Sequence, residues 1–190
     1  MEQADILAFP TRRYALGREA EYLEDTSLRR LVLEHYDQEH VAIRRYLSFL
    51  GVDSDTGEEV LQESFLKLHE HLLAGGDRSN LRAWLYRVAH NLARNAQVAF
   101  RRSKTDSLPD ANVGRELRAD AASAEDDLLA AERTIRLRDA MNQLSAAQKE
   151  CLVLRAQGLK YREIADILNV SVSTVAENVQ RGLKRLKDLV

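Results

Sequence analysis

The chain is short of chain breakers and cross-links: 2 Pro, 8 Gly and one Cys in 190 residues. With so few breakers and abundant Ala, Leu, Glu and Arg, the composition favours an all-α protein. The single Cys151 rules out an internal disulfide framework. It sits in a helical apolar pattern, which marks a core residue rather than a nucleophile. No apolar run approaches membrane-spanning length, and the N-terminus has no apolar signal core. Membrane insertion is therefore not expected, and the protein is expected in the cytoplasm. There is no phosphate-binding loop and no acid–base set, so no enzymatic activity, no cofactor and no metal are expected.

What is present is 45% hydrophobic residues, enough for packed cores. Two compact helical bundles fit 190 residues better than one large core. The net charge of −2 looks wrong for a nucleic-acid binder, but the average hides segregation. Arg78, Arg82, Arg87, Arg94, Arg101, Arg102 and Lys104 form a basic block without an acid. Nine acids against five Arg follow between Asp106 and Asp139. Two surfaces for a polyanion, joined by something that is not one, are the implication.

The strongest pattern is Tyr161–Arg185, YREIADILNVSVSTVAENVQRGLKR. Ile164, Ala165, Ile167 and Leu168 share an inner face of a first short helix. Asn169 stands where the chain must turn, and Asn is the non-glycine residue best suited to a left-handed backbone. Ser171 is placed to cap a second helix, whose Val172, Val175, Val179, Leu183 and Leu186 form one apolar stripe. Ala165 is small enough for the two axes to cross closely. This is the pattern of a helix-turn-helix, whose second helix enters the DNA major groove. Ser173, Thr174, Glu177 and Asn178 lie where base edges are reached. Arg181, Lys184, Arg185 and Lys187 follow where phosphates are met.

Earlier in the chain, Met1–Thr26 reads as a loose arm or one short helix without an assigned function. Ser27 to about Leu50 supports one helix or a broken pair, ended by the turn GVDSDTG at Gly51–Gly57. Thr56 with Glu59 reads as a capping box. It opens a helix with Val60, Leu61, Ser64, Phe65, Leu68 and Leu72 inside and Glu58, Glu59, Gln62 and Glu63 outside. AGGDRS at Ala74–Ser79 breaks that helix. The next segment, NLRAWLYRVAHNLARNAQVAFRR, puts Leu81, Trp84, Leu85, Val88, Ala89, Leu92 and Ala96 on a buried face. Arg82, Tyr86, Arg87, His90, Asn91, Arg94, Asn95, Arg101 and Arg102 are left for solvent or a partner. Aromatic, amide and basic groups on an acid-free helix suit single-stranded DNA. Beyond a connector at Ser103–Ala122, with Pro109 and Gly114, Ser123 is placed to cap a helix to about Leu144. Ser145 with Gln148 forms a further capping box, and Gly158 ends the helix it opens.

EEVLQESFLKL at Glu58–Leu68, LRAWLYRVAHNLARN at Leu81–Asn95 and the C-terminal helix-turn-helix, in this order, resemble the bacterial RNA polymerase sigma factors. The short layout is similar to their extracytoplasmic-function group, over roughly Leu28–Asp188. The resemblance implies two small helical domains on a flexible linker: an arm at 1–26, a region 2-like domain at 27–102, a linker at 103–124 and a region 4-like domain at 125–190. No C-terminal regulatory domain is expected after Val190.

It further implies that Glu58, Glu59, Gln62 and Glu63 bind the clamp of core RNA polymerase. Gly76, Asp77, Arg78, Ser79 and Asn80, with Arg87, Asn91, Arg94 and Asn95, would take the melted −10 strand, and Arg101 and Arg102 its phosphates. Ser173, Thr174, Glu177 and Asn178 would read the −35 bases while Arg181, Lys184 and Arg185 hold its backbone. Promoter DNA and core polymerase are then the partners, and an anti-sigma factor is a further one that no residue here identifies. Ala176, Glu177 and Asn178 depart from the basic residues common in the family at this point, which leaves the −35 sequence open. Two other classes remain: a stand-alone helix-turn-helix regulator, and a metal enzyme built on His35, His40, His69 and His71. The regulator leaves the acidic strip and the WLYR helix without a purpose. The enzyme fails because His69 and His71, two apart on a helix, cannot share a face.

Overall fold

The computed structural model describes the backbone of residues 11–103 and 136–189, with side chains for 26–102 and 136–189. Every regular element among the described residues is helical. Helix α1 spans Thr11–Phe49, α2 Ser54–Leu73 and α3 Leu81–Ser103. Helical backbone at 136–142 precedes α4 (Ala146–Ala156), α5 (Tyr161–Leu168) and α6 (Val172–Leu189). Ser103, expected to open the connector, is instead the last residue of α3; the rest of the connector and the start of the helix expected from Ala124 lie outside the described residues.

α1 is a single unbroken helix, and its backbone runs back through half of the expected arm. Gly51 ends the turn after it at φ 83, a left-handed conformation that costs Gly nothing. The cap of α2 differs from the expected Thr56–Glu59 box. Asp53 is the N-cap, its Oδ1 accepting the Thr56 N–H at 3.0 Å, and Thr56 lies inside the first turn. A carboxylate facing the positive helix end is the stronger acceptor, and it holds the Asp53 acid below its usual pKa range.

Ile43, Tyr46 and Leu47 of α1 meet Leu61, Leu68 and Leu72 of α2 and Leu81, Leu85 and Ala89 of α3 in the first core. Each fully buried Leu or Ile contributes about 1.5–3 kcal/mol relative to exposure. All six α2 positions expected inside are buried. On α3 the buried face is rotated from the expected one. Trp84, Val88, Leu92 and Ala96 are only half-buried, while Tyr86 and His90, expected on the open face, are buried. The rotation follows from α1. The Tyr46 hydroxyl meets His90 Nδ1 at 2.8 Å, and the Tyr46 and Tyr86 rings lie 5.6 Å apart.

In the C-terminal half, the Ser145–Gln148 capping box opens α4, and Gly158 follows its end at φ 83. Asn169 takes the left-handed turn at φ 53, ψ 50, and the Val170 N–H reaches back to Ala165 O at 3.0 Å. Ser171 Oγ then accepts the Thr174 N–H at 3.0 Å and caps α6. The α6 stripe is corrected at two places: Val172 and Leu183 are exposed, and the buried positions are Val175, Val179 and Gly182, with Leu186 packed alongside. Gly182 sets this register. A Cβ there would lie 2.8 Å from Leu152 Cδ1, so α4 and α6 approach at the glycine.

The two halves are not apart. α5 packs on α3, and the buried side chains of both form one continuous cluster.

Candidate nucleic-acid interface

The loop between α2 and α3 is held by its own side chains. Asp77 accepts from the Ser79 N–H at 2.9 Å and from the Ser79 hydroxyl at 2.7 Å. These bonds, the hydroxyl first, keep the exposed Asp77 carboxyl below its usual pKa range. His71 Nε2–H donates to Asp77 O at 3.1 Å, and its ring stacks on Trp84 at 4.7 Å between centroids. Gly76 passes close under the His71 ring: a Cβ there would lie 2.1 Å from it, so the ring would have to shift. Asn80 Oδ1 accepts the Ala83 N–H at 3.3 Å and so caps α3. The segment Gly76–Asn80 is therefore a shaped loop beside the start of α3.

On α3, Arg87, Asn91, Arg94 and Asn95 are exposed, and Arg101 and Arg102 are exposed at its end. Arg94 is paired with Glu150 of α4. Arg82, by contrast, is turned inward to an ion pair with the buried Glu39 of α1 at 2.9 Å. The stretch thus presents a row of amides and guanidiniums, about one helical turn apart, with Trp84 and Tyr86 in the wall behind it and Phe100 exposed near its end. That arrangement suits strand capture by hydrogen bonds and phosphate pairing more than by stacking.

Behind this row His90 is held neutral. Burial first, and then the Arg94 guanidinium, lower its pKa to about 4 from 6.5. The neutral ring accepts the Tyr46 O–H at Nδ1, and burial pushes the Tyr46 pKa up, so the phenol keeps its proton. An unfolded chain takes up the imidazole proton near pH 6.5 and the folded one only near 4. Stability should therefore fall as pH drops through that window and level off below it. The loss is about 2 kcal/mol once partial solvent screening is allowed for. His90→Gln keeps an acceptor for Tyr46 and should flatten this limb. Urea unfolding between pH 4 and 7 checks it, and equal slopes in both proteins would refute the assignment.

On α2, Glu59 and Gln62 are exposed, while Glu58 and Glu63 are half-exposed and engaged. Arg44 Nη2 meets Glu58 Oε2 at 2.7 Å, tying α2 to α1, and Lys67 Nζ lies 3.0 Å from Glu63 Oε1. The exposed Leu66 and Leu73 continue the same face, a feature the charge pattern did not single out.

On α6, Ser173, Thr174, Glu177, Arg181, Lys184 and Arg185 are exposed and Asn178 is half-buried. The Ser173 and Thr174 hydroxyls lie 2.7 and 2.8 Å from Ser171 Oγ, and Arg181 pairs with Glu177 at 3.0 Å. The positive N-terminal end of α6 and its basic later turns lie on one outward side. The sequence reading missed the acids on the facing half: Glu150, Glu163 and Asp166, spaced across α4 and α5, look toward α3. An acid-free helix beside acids at that spacing was the available signal.

A helix-turn-helix with an open recognition face and an acid-free basic helix on one chain define a DNA-binding protein with two separate DNA surfaces. The family models agree with this division: Sigma-70 region 2 matches residues 35–105, and Sigma-70 region 4 matches 134–186. The chain is 31% identical over 158 residues to RNA polymerase sigma factor SigZ of Bacillus subtilis, covering 82% of this chain and 84% of that one. It is 29% identical over 139 residues to the ECF RNA polymerase sigma-E factor of Haemophilus influenzae, 70% and 73% of the two chains. The fold is also that of the sigma factor RpoE of Bartonella quintana, solved with the anti-sigma factor NepR. There the TM-score is 0.58 at 23% identity, over 82% of this chain and 96% of that one. CnrH, solved with the cytosolic domain of CnrY, superposes with a TM-score of 0.57 at 20% identity, over 88% and 94%. The chain belongs to the extracytoplasmic-function group of the sigma-70 family: it is an alternative sigma factor, which directs RNA polymerase to specific promoters.

Proposed function

We propose that the chain divides its work among three surfaces. Glu59, Gln62 and Glu63 of α2 bind core polymerase, with Glu58 serving mainly to dock α2 on α1. The loop Gly76–Asn80 and Arg87, Asn91, Arg94 and Asn95 hold the melted −10 strand, with Arg101 and Arg102 on its phosphates. Within the loop, Asp77 shapes the backbone rather than meeting phosphate. The α6 face, with Ser173, Thr174, Glu177 and Asn178, reads the −35 duplex while Arg181, Lys184 and Arg185 hold its backbone. The working units are 27–102 and 125–190, joined by 103–124. The observation that carries this reading is the exposed amide and guanidinium row on α3, free of acids from its own helix.

No bond is broken by such a protein; binding free energy is used to separate strands and capture bases. It acts where RNA polymerase acts, in the cytoplasm, and among the described residues no helix is long and apolar enough to cross a membrane. An anti-sigma partner, as in the solved complex with NepR, fits a chain of this build. The test is to add the purified chain to core polymerase, measure association, and sequence the starts made from a genomic fragment library. Binding with new starts that share two motifs at fixed spacing is expected. Retained duplex affinity without association with core would instead establish a stand-alone regulator.

A further inference from the structure

The loop Gly76–Asn80 has no buried side chain of its own to anchor it. Asp77, Arg78, Ser79 and Asn80 are exposed, and Gly76 is half-buried. Its shape rests on hydrogen bonds, and a segment held that way opens easily unless something outside it helps. The local bonds are the Gly76 N–H to His71 O at 2.8 Å and the Asp77–Ser79 turn. His71, in the last turn of α2, adds a hold from outside. Its Nε2 lies 3.1 Å from Asp77 O, and since a carbonyl only accepts, Nε2 carries the proton. The ring lies on Trp84, in the first turn of α3, with 25° between the two planes. One side chain thus joins the end of α2, the middle of the loop and the start of α3. Gly76 leaves it the room. A Cβ there would run into Cε1, Nδ1 and Nε2 of the ring. Unlike Gly75, Gly76 has no left-handed backbone, so it is space and not torsion that a side chain would lack.

We infer that His71 is the positioning residue of the −10 loop and sets its selectivity for bases. This rests on the strand-capture reading of the loop given above. In this role the imidazole touches no DNA. It lines a cleft of about 290 Å³ together with Asp77, Asn80, Trp84 and Arg87, so the loop and the first turns of α3 meet at the place that it fixes. A loop already in its bound shape needs no ordering on capture, and one fixed shape rejects bases that a mobile loop would accommodate. Without the ring the loop takes several shapes, and the apparent strand affinity falls with the fraction that is competent.

The chain's single tryptophan, Trp84, reports whether the ring is in place. The test compares the unaltered chain with His71→Ala, Gly76→Ala and the double variant. Circular dichroism and association with core polymerase monitor the fold. As free chains all three variants should show red-shifted Trp84 emission, because the Gly76→Ala methyl displaces the ring that His71→Ala removes. Strand binding is then read with each protein assembled on core. The probes are a single-stranded oligonucleotide with the non-template −10 sequence found by start mapping, and a set with each −10 base replaced in turn. Binding of the mapped strand should weaken about fivefold in each variant. Discrimination at one −10 position should drop from about tenfold to about twofold. The double variant should match the single ones, since with the ring gone the methyl no longer has it to displace. Full discrimination in His71→Ala would overturn the positioning role and leave strand capture standing, and so would losses that add in the double variant. No strand binding by the unaltered chain on core would remove the strand-capture reading and the positioning role with it.

Discussion

Replacing Gln62 and Glu63 together by Arg should abolish association with core RNA polymerase and leave the fold intact. Gln62 is exposed and Glu63 half-exposed, and neither is among the buried residues of α2. The only described bond lost is the solvent-screened surface pair with Lys67. Placing positive charge at two adjacent positions of the proposed interface is a different matter. A surface that receives the acidic strip of α2 must itself be basic, and each like-charge juxtaposition against it costs about 2–5 kcal/mol. Association should weaken by at least about 100-fold, since 1.4 kcal/mol is a factor of ten. Co-sedimentation or fluorescence titration with core polymerase reads the loss, and circular dichroism confirms the helices. Unchanged association would remove α2 as the docking surface. Leu66 and Leu73 sharpen the comparison, because Leu66→Ala should weaken association while Glu58→Ala should chiefly loosen α1 from α2.

The most local features were the most legible. Asn169, Ser171, the Ser145–Gln148 box and Gly158 each solve a backbone problem within a few residues, and each is found in its expected conformation. Periodicity also gave the interior of α2, which faces one neighbouring layer. α3 was harder, because it is packed by α1 and α2 and again by α5. A helix covered from two directions does not show one clean stripe, so Tyr86 and His90 read as open residues although they are buried. Polarity misled there because both are satisfied by side chains distant in the chain: Tyr46 for His90, and Gln157 for Tyr86. The α2 cap failed differently. Asp53 and Thr56 are both good caps three residues apart, and choosing between them depends on where the preceding turn releases the chain. The contact between halves was the least legible. Asn80 and Glu163 are 83 positions apart, and no local pattern announces such a pair.

The second large effect is expected from α3. Asn91→Ala and Arg94→Ala should each join core polymerase normally and lose promoter opening on duplex templates by about 10- to 100-fold. A lost hydrogen bond to the strand is worth about 1 kcal/mol and a charge-assisted one about 1.5–3. The two substitutions are not equivalent in this fold. Arg94 also holds Glu150, so its loss leaves that carboxylate without its partner as well as removing a strand contact. Asn91, exposed one turn earlier on the same face, reports strand contact without that complication. Templates melted in advance across the −10 element should restore activity to both, because the strand separation that these contacts help to drive has already been done. Full activity of both variants on duplex promoters would show that α3 does not hold the strand. Failure on melted templates as well would place their role after opening and overturn their assignment to strand separation.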